Sequence, residues 1–550
     1  MKKNAFTLVE LIAVIVLLCI IVLISFPALT NVIKGGEEKN KEEALNTIYM
    51  AAENYLMANY EKYFINNTGD TAYVYITDLI NNNYLNADTV NPNNEHSFSS
   101  KDVVKITRNE DGTFNYELDY IKTLIEILLK QYSEGNTKGL VKDATNTNLY
   151  YYTGTEEQVS NNYLWYGGHQ WRVLEFDTSA NTLTLITQQP LTAIQPANSV
   201  WTTQSAYESS YINTWLNDYF YNSLDSNIQK NILDNTFNVG IYTDVDEITP
   251  EQKVGMLDED QYERAGSADS FLDIKDYWWL ENRYSSTNVR YVYNNGIIGN
   301  RSPANADGVR AVIKISDITI TNGDGTLASN YQVGTKTTNT NNVQVGEYIN
   351  VPYNGSDNAC GSDKMCTFRV LSKDNDSIKV VLNGLLPTKS TYGSSTKISI
   401  SHTIYTKLNA FAEGISNTYR YTGNKTFYIG DYPYVSGTGQ NYEDVQDETL
   451  QASIGLPTVG EIFSGNDIDL STSSTKTFVD VNTIENPTVS NYYWTMNRYS
   501  SINVRGVSYD GYLGSDNPAH AYGVRAVIYL KNNLNFTGGN GTAQNPYTLN

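Results

Sequence analysis

Apolar residues follow three different rhythms along this chain. From Leu11 to Ile24 they form an almost unbroken run, LIAVIVLLCIIVLI. Past Pro27 the pattern turns amphipathic: Ile48, Ala51, Ala52, Tyr55 and Leu56 recur at helical spacing. The two stretches predict one helix over residues 6–62, roughly 80 Å long at full extension, of which about twenty residues (6–26) would cross a bilayer. Pro27 should kink it, because it lacks an N–H and crowds the preceding turn. A signal peptide would have a shorter apolar core ending at a small-residue cleavage site. Lys2 and Lys3 precede the run, which predicts a single-pass membrane protein with a cytoplasmic N-terminus and extracellular C-terminal modules.

The third rhythm has a period of two. YVYITDLINNNYL, from Tyr73, reads as a strand and a short helix. VVKITRNEDGTFNYELDY, from Val103, reads as a hairpin with Asp111-Gly112 at the turn and Val104, Ile106, Phe114 and Tyr116 on its arms. IKTLIEILLKQY is an amphipathic helix, and the polar stretch after it reads as a linker. WRVLEFDTSANTLTLIT, from Trp171, and FRVLSKDNDSIKVVLN, from Phe368, both read as strand–turn–strand.

These last two stretches belong to an internal repeat. Tyr277 to Ile313 aligns without a gap on Tyr492 to Ile528, which implies duplicated domains and not a solenoid. The ends match as well, NGDGTLASNYQV against GNGTAQNPYTL. The aligned segments share Trp279/Trp494, Asn282/Asn497, Arg283/Arg498, Tyr284/Tyr499, Arg290/Arg505, Gly308/Gly523 and Arg310/Arg525. They differ at Tyr291/Gly506, Asn294/Tyr509, Ile297/Tyr512, Arg301/Asp516, Asn305/His520 and Asp307/Tyr522. A shared framework with a divergent loop suits a scaffold that presents a surface; drift after duplication is the other reading. The tryptophans are expected to pack a core, and the arginines to pair with carbonyls or carboxylates inside each module. The candidate ligand loop is Tyr291, Asn294, Arg301 and Asn305 in the first copy, and Tyr509, Tyr512, Asp516, His520 and Tyr522 in the second.

Charge narrows the partners. The 550 residues hold 38 Lys+Arg against 60 Asp+Glu, a formal charge of −22, which repels phosphate backbones and argues against nucleic acid. The 44 tyrosines fit either AT-rich coding or a recognition surface rich in Tyr, Asn and Ser. Of three cysteines, Cys19 lies in the apolar run. Cys360 and Cys366 flank a short loop with no histidine beside them, which favours a disulfide outside the cytosol over a metal site, two free thiols being the alternative.

The opening KKNAFTLVELIAVIVLLCIIVLISFPALTNVI resembles the start of type IV pilins and type II secretion pseudopilins. That resemblance implies a prepilin peptidase that cuts between Ala5 and Phe6 and methylates the new amine of Phe6. Ala5 departs from the glycine usual before the cut. The resemblance also gives Glu10 a role. In a filament core it would pair with the N-terminal amine of a neighbouring subunit and set the register, since an unpaired charge there is costly. Residues 63–120 then resemble the small head of such pilins.

The repeats resemble a domain of Firmicutes surface proteins that opens with Trp-Arg-Val-Leu and closes with Gly-Val-Arg-Ala. It is similar to the C-type lectin fold in its formylglycine-generating-enzyme-like branch. The second copy has Phe368 for the opening Trp. The resemblance implies small α+β modules, with helices in the first at SYINTWLNDYFYNSL (Trp215, Leu216, Phe220, Leu224) and around MLDEDQYERAG.

The expected fold class is therefore α+β: a long N-terminal pilin helix with a small head, then two lectin-like modules. The expected divisions are leader 1–5, helix 6–62, head 63–120, helix and linker 121–144, and modules 145–333 and 340–550. No nucleophile elbow, phosphate loop or zinc spacing is present, and no cysteine matches the reactive positions of the formylglycine-generating branch. No catalytic residue, metal or cofactor is expected. The function expected is a minor pilin or pilin-like surface protein that displays two adhesin-like modules, with a tethered, unassembled receptor as the alternative. Its partners would be the peptidase, other pilin subunits along the helix, the membrane, and an extracellular glycan or surface protein.

Overall fold

The computed structural model describes residues 38–549, except 64, 66–67, 69–70, 195, 198, 202, 242–248, 250, 304, 306, 334–338, 357, 432–447, 464–491 and 508–512. Two compact units make up the chain, one ending at Ile121 and the other running from Lys122 to Asn550.

In the first unit a helix α1 covers residues 38–58. Ile48, Ala51, Ala52, Tyr55 and Leu56 form its buried face. They pack with Val74, Val104 and Ile106. Those residues come from a three-stranded antiparallel sheet of β1 (Thr71–Tyr75), β2 (Asp102–Arg108) and β3 (Phe114–Tyr120), in the order β1-β2-β3. A short helix α2 (Ile76–Asn81) follows β1 directly. The hairpin register pairs Ile106 with Tyr116. Its turn is closed by Asp111, whose carboxylate accepts the Thr113 N–H at 2.9 Å, and by Gly112 at φ +83°.

The fold class and the membrane placement need correction. Strand accounts for 34% of the structure and helix for 20%, so the protein is chiefly β. No helix among the described residues is long and apolar enough to cross a membrane. The physical reason is visible on α1: Glu42, Glu43, Glu53 and Asn54 lie off its buried face, so the helix is apolar on one side only. The expected long transmembrane pilin helix and the single-pass localisation are set aside on that finding. The run 6–26, together with Ala5, Phe6 and Glu10, lies outside the described residues.

The second unit holds both repeats. The first is built on a nine-stranded sheet. Its main path runs from β10 (Val254–Gly255) through β15 (Val312–Ser316), β8 (Thr182–Thr187), β7 (His169–Asp177), β6 (Tyr163–Tyr166) and β17 (Tyr331–Val333) to β16 (Ile320–Asn322). The second repeat follows the same path strand for strand: β24 (Ile454–Gly455), β29 (Val527–Lys531), β20 (Ser377–Leu382), β19 (Met365–Lys373), β18 (Tyr348–Pro352) and β30 (Tyr547–Thr548). In both, the last of these shared pairings is parallel, Tyr331 beside Leu164 and Tyr547 beside Ile349. Strands such as TLTLIT and SIKVVL are buried on both faces, which is why they read as near-continuous apolar or Thr-rich runs.

A smaller sheet carries the aligned repeat segments. In module 1 its order is β13 (Ile298–Arg301), β12 (Val289–Val292), β11 (Trp278–Arg283), β14 (Asp307–Val309) and β9 (Thr192–Ile194). Module 2 matches it with β25 (Tyr493–Arg498), β26 (Val504–Val507) and β27 (Leu513–Asp516), and with β21 (Ser390–Thr391) paired to β28 (Ala521–Tyr522). Module 2 also has a separate antiparallel pair, β22 (Lys425–Tyr428) with β23 (Thr449–Ala452). The helical run from Tyr211 to Ser223 buries Trp215, Leu216 and Phe220 in module 1, and Thr403–Glu413 is its helix in module 2.

Residues 122–144 are part of module 1. Helix α3 (Leu124–Ser133) starts on a capping box between Thr123 and Glu126 and sinks Leu124, Ile125 and Leu128 into the core. The polar stretch that follows supplies β4 (Leu140–Lys142), which pairs with β5 (Leu149–Tyr152). Composition made it look like a linker because it buries only Leu140. The modules touch at the β6–β7 turn: a Cβ on Gly168, at φ +77°, would lie 1.9 Å from the Val345 carbonyl oxygen, so glycine is required there. Trp165 and Tyr348 bring their rings to 6.2 Å across the same contact.

Candidate binding faces of the two modules

Each smaller sheet is tied to its larger sheet by the shared residues. Arg310 follows β14 and is fully buried. Its Nε donates to the Thr187 carbonyl at 2.9 Å, a terminal nitrogen donates to Leu272 O at 2.8 Å, and the guanidinium sits 4.7 Å from the Trp278 ring. Burial, with Arg172 nearby, pulls its pKa down to about 9. Arg525 repeats this arrangement, with Nε donating to Leu382 O at 2.9 Å and the guanidinium 5.6 Å from the Tyr493 ring.

Asn282 and Asn497 act as three-way pins. Asn282 accepts the Glu259 N–H at 2.7 Å and donates to the carbonyls of Asn238 and Gly240 at 3.2 and 3.3 Å. Asn497 accepts the Val459 N–H at 2.8 Å and donates to Tyr428 and Gly430 at 3.5 and 3.3 Å. The amides they hold open helices α4 (Glu259–Arg264) and α5 (Val459–Phe463).

The remaining framework residues also stay inside their modules. Trp279 and Trp494 are fully buried, the second donating its Nε1–H to Ser390 O at 3.1 Å. Arg283 donates to Trp201 O at 3.2 Å, while Arg498 pairs with Asp431 and, at 3.3 Å, with Glu448. Arg290 pairs with Glu259 at 2.8 Å and lies 4.5 Å over Tyr284. Arg505 lies 4.5 Å over Tyr499.

The divergent residues lie on and between β12, β13 and β14 of the smaller sheet, with Tyr291 and Asp307 buried and Arg301 half-buried, and they change in sets. In module 1 Tyr291 stacks on Tyr277 at 6.2 Å and meets Tyr293 at 4.7 Å. Arg301 spans the Tyr277 and Tyr291 rings at 5.6 and 5.4 Å and pairs with buried Asp307 at 2.6 Å. In module 2 Gly506 replaces Tyr291, and a Cβ there would meet the Tyr492 ring at 2.6 Å. The missing ring is supplied by Tyr522, 4.1 Å from Tyr492 and 4.9 Å from Trp494. Asp516, at the position of Arg301, bonds the Tyr522 hydroxyl and pairs with His520 at 2.9 Å. Burial acts to raise the Asp516 pKa, but hydrogen bonds from Tyr522 and His520 outweigh it and hold the carboxyl below its ordinary value. A cation–carboxylate pair has become a carboxylate–phenol pair, and a ring lost from one strand is regained from another.

Asn294 sits half-buried in the β12–β13 turn, and Asn305 bonds back to Ser302 O at 3.0 Å. Tyr509 and Tyr512 lie outside the described residues. Cys360 and Cys366 are joined in a disulfide that closes the loop between β18 and β19.

Residues 181–257 match a family described as a domain of unknown function, DUF6273. The match runs from β8 to just past β10, so it covers the middle of module 1. No curated protein and no solved structure matches the chain.

Sequence reading passed over Glu281. It lies between Leu280 and Asn282 in the buried strand β11, and Met496 stands at its place in module 2. A lone acid inside a WWL…N run was the signal to follow. Arg172, fully buried with bonds to Asn162, Glu156 and Val159, was likewise visible only as part of the Trp-Arg-Val-Leu opening.

Proposed function

We propose that this chain is a binding protein that displays two adhesin-like modules of one framework with two different faces, and that it works without catalysis. The observation that carries this reading is the set-wise rebuilding of the faces. Arg301–Asp307 gives way to Asp516–Tyr522 while Arg310/Arg525 and Asn282/Asn497 keep the same bonds. Random drift would leave unmatched charges, whereas paired replacement keeps each face ordered and changes what it offers. Partly exposed tyrosines such as Tyr293 suit a glycan or the surface of a protein.

The test is binding of the full chain to arrayed glycans and to candidate surface proteins, with Tyr293→Ala for the first face and His520→Ala for the second. Loss of one set of ligands per variant supports two independent faces. Retention of every ligand by both variants would overturn the reading. The pilin-like part of the proposal, with a prepilin peptidase and other pilin subunits as partners, rests on the motif around Ala5, Phe6 and Glu10. Mass spectrometry of the N-terminal peptide from sheared surface material checks it: a start at N-methyl-Phe6 supports a filament subunit, and an uncut Met1 removes that role.

A further inference from the structure

Glu281 lies at the join between the two sheets of module 1. Its backbone N–H donates to Leu257 O at 2.8 Å, and its Oε2 accepts the Met256 N–H at 2.6 Å. Met256 directly follows β10, the edge strand of the large sheet, and Glu281 belongs to β11 of the smaller one. One residue therefore straps the two sheets together. The strap continues through Asn282 to the start of α4, and from Glu259 to Arg290 beneath the exposed hairpin.

This carboxyl is 0% exposed. The Tyr207 hydroxyl and the Asp258 carboxyl are the titratable groups that act on it, and neither is a cation. The buried Tyr207 hydroxyl is a hydrogen-bond partner of this carboxyl. An ionised carboxylate here would have no counter-charge among the described residues, and Asp258 would repel it. A neutral acid fits, keeping Oε2 as acceptor for Met256 and leaving a proton for the Tyr207 side. Burial raises the Glu281 pKa to about 8, against the hydrogen bonds from Tyr207 and Met256.

Module 2 makes the same strap without a titrating group. Leu456 N–H points at the Met496 sulfur at 3.2 Å, and Met496 N–H donates to Pro457 O at 3.0 Å. The backbone bonds correspond one to one, and only the side-chain acceptor has changed.

We propose that Glu281 is a proton-held latch between the two sheets of module 1, firm while its carboxyl is neutral and loosened as the proton is lost, and that module 2 lacks this latch because Met496 stands in its place. Opening the join lets water reach Glu281, and the carboxyl then releases its proton at its ordinary value. The closed form binds a proton that the open form has lost, so rising pH favours opening until the closed form also ionises. The sheet join of module 1 is thus pH-responsive where the matching join of module 2 is not, and its hairpin is held most firmly in acid.

The experiment is hydrogen exchange by mass spectrometry on the full chain between pH 5.5 and 7.5, corrected for the intrinsic pH dependence of exchange. Protection of the peptide around Met256 should fall about tenfold per pH unit, while the peptide around Leu456 stays level. Glu281→Gln, a neutral isostere, and Glu281→Met, the residue of module 2, should each flatten the profile. Constant protection in the unmodified protein overturns the proposal. So does a fall that persists in Glu281→Gln, which would assign the response to Asp258. If Glu281→Met fails to fold, Glu281→Gln and the unmodified protein decide.

Discussion

Modules 1 and 2 run the same strands in the same order, yet they satisfy their buried polar groups with different chemistry. Where the two sheets join, both use an Arg to bind main-chain carbonyls and an Asn to hold a helix start. Away from that join the solutions part. Module 1 links β7 to α4 through Glu175 and Arg264, whereas module 2 links β20 to α5 through Lys379 and Glu461. Backbone groups must be satisfied in one geometry, which restricts the side chains that serve them. Side-chain pairs can be exchanged as units, because only their mutual fit matters.

The comparison breaks first at the buried arginines. Arg310→Ala and Arg525→Ala should each destabilise the chain by about 3–5 kcal/mol in urea unfolding, because carbonyls and a packed ring lose their partner at once. A large loss in one module with none in the other would end the claim of equivalence. Next come Asn282→Ala and Asn497→Ala, each expected to cost about 2–3 kcal/mol by leaving a buried amide and two carbonyls short of partners. Circular dichroism melts should rank them below the arginines.

The exchange of pairs is sharpened by transplanting one. Arg301→Asp alone places a second carboxylate against buried Asp307 and should destabilise module 1. Adding Asp307→Tyr recreates the pairing of module 2 and should recover about 1–3 kcal/mol as coupling in a double-mutant cycle. Strict additivity would mean that the two positions changed independently.

A further contrast between the modules is a slope with pH. Glu347 in module 2 is buried, and burial raises its pKa to about 8 against a hydrogen bond from the Gln344 N–H. The folded state keeps a proton that the unfolded chain releases near about pH 4.3, so stability falls as pH rises from about 4.3 toward 8 and levels off above. Module 1 has Asn162 at the matching place, where its carbonyl receives the Val173 N–H as that of Glu347 receives Val370. Glu347→Asn should flatten the module 2 part of the slope in melts taken across that range.

Particular elements show how far sequence reading reached. The α1 face was legible because Ile48, Ala51, Ala52, Tyr55 and Leu56 obey a local period. The hairpin at Asp111-Gly112 was legible because turn chemistry is local too. The repeat register was legible because two copies stand in one chain. The long membrane helix was overread: no helix among the described residues is long and apolar enough to cross a membrane, and α1 carries a polar face. The stretch after α3 was underread, since β4 becomes a strand only when β5 is beside it.

What the sequence determined by itself is whatever rests on near neighbours or on self-comparison: the strand rhythm, the helix faces, the duplicated framework and the acidic charge. What only the tertiary structure decided is who meets whom. Asp516 finding Tyr522, Glu281 reaching back to Met256, and Gly168 yielding to Val345 join residues through the packing of sheets. No local pattern encodes those meetings, because each energy depends on burial and on a partner that only the folded sheets bring into place.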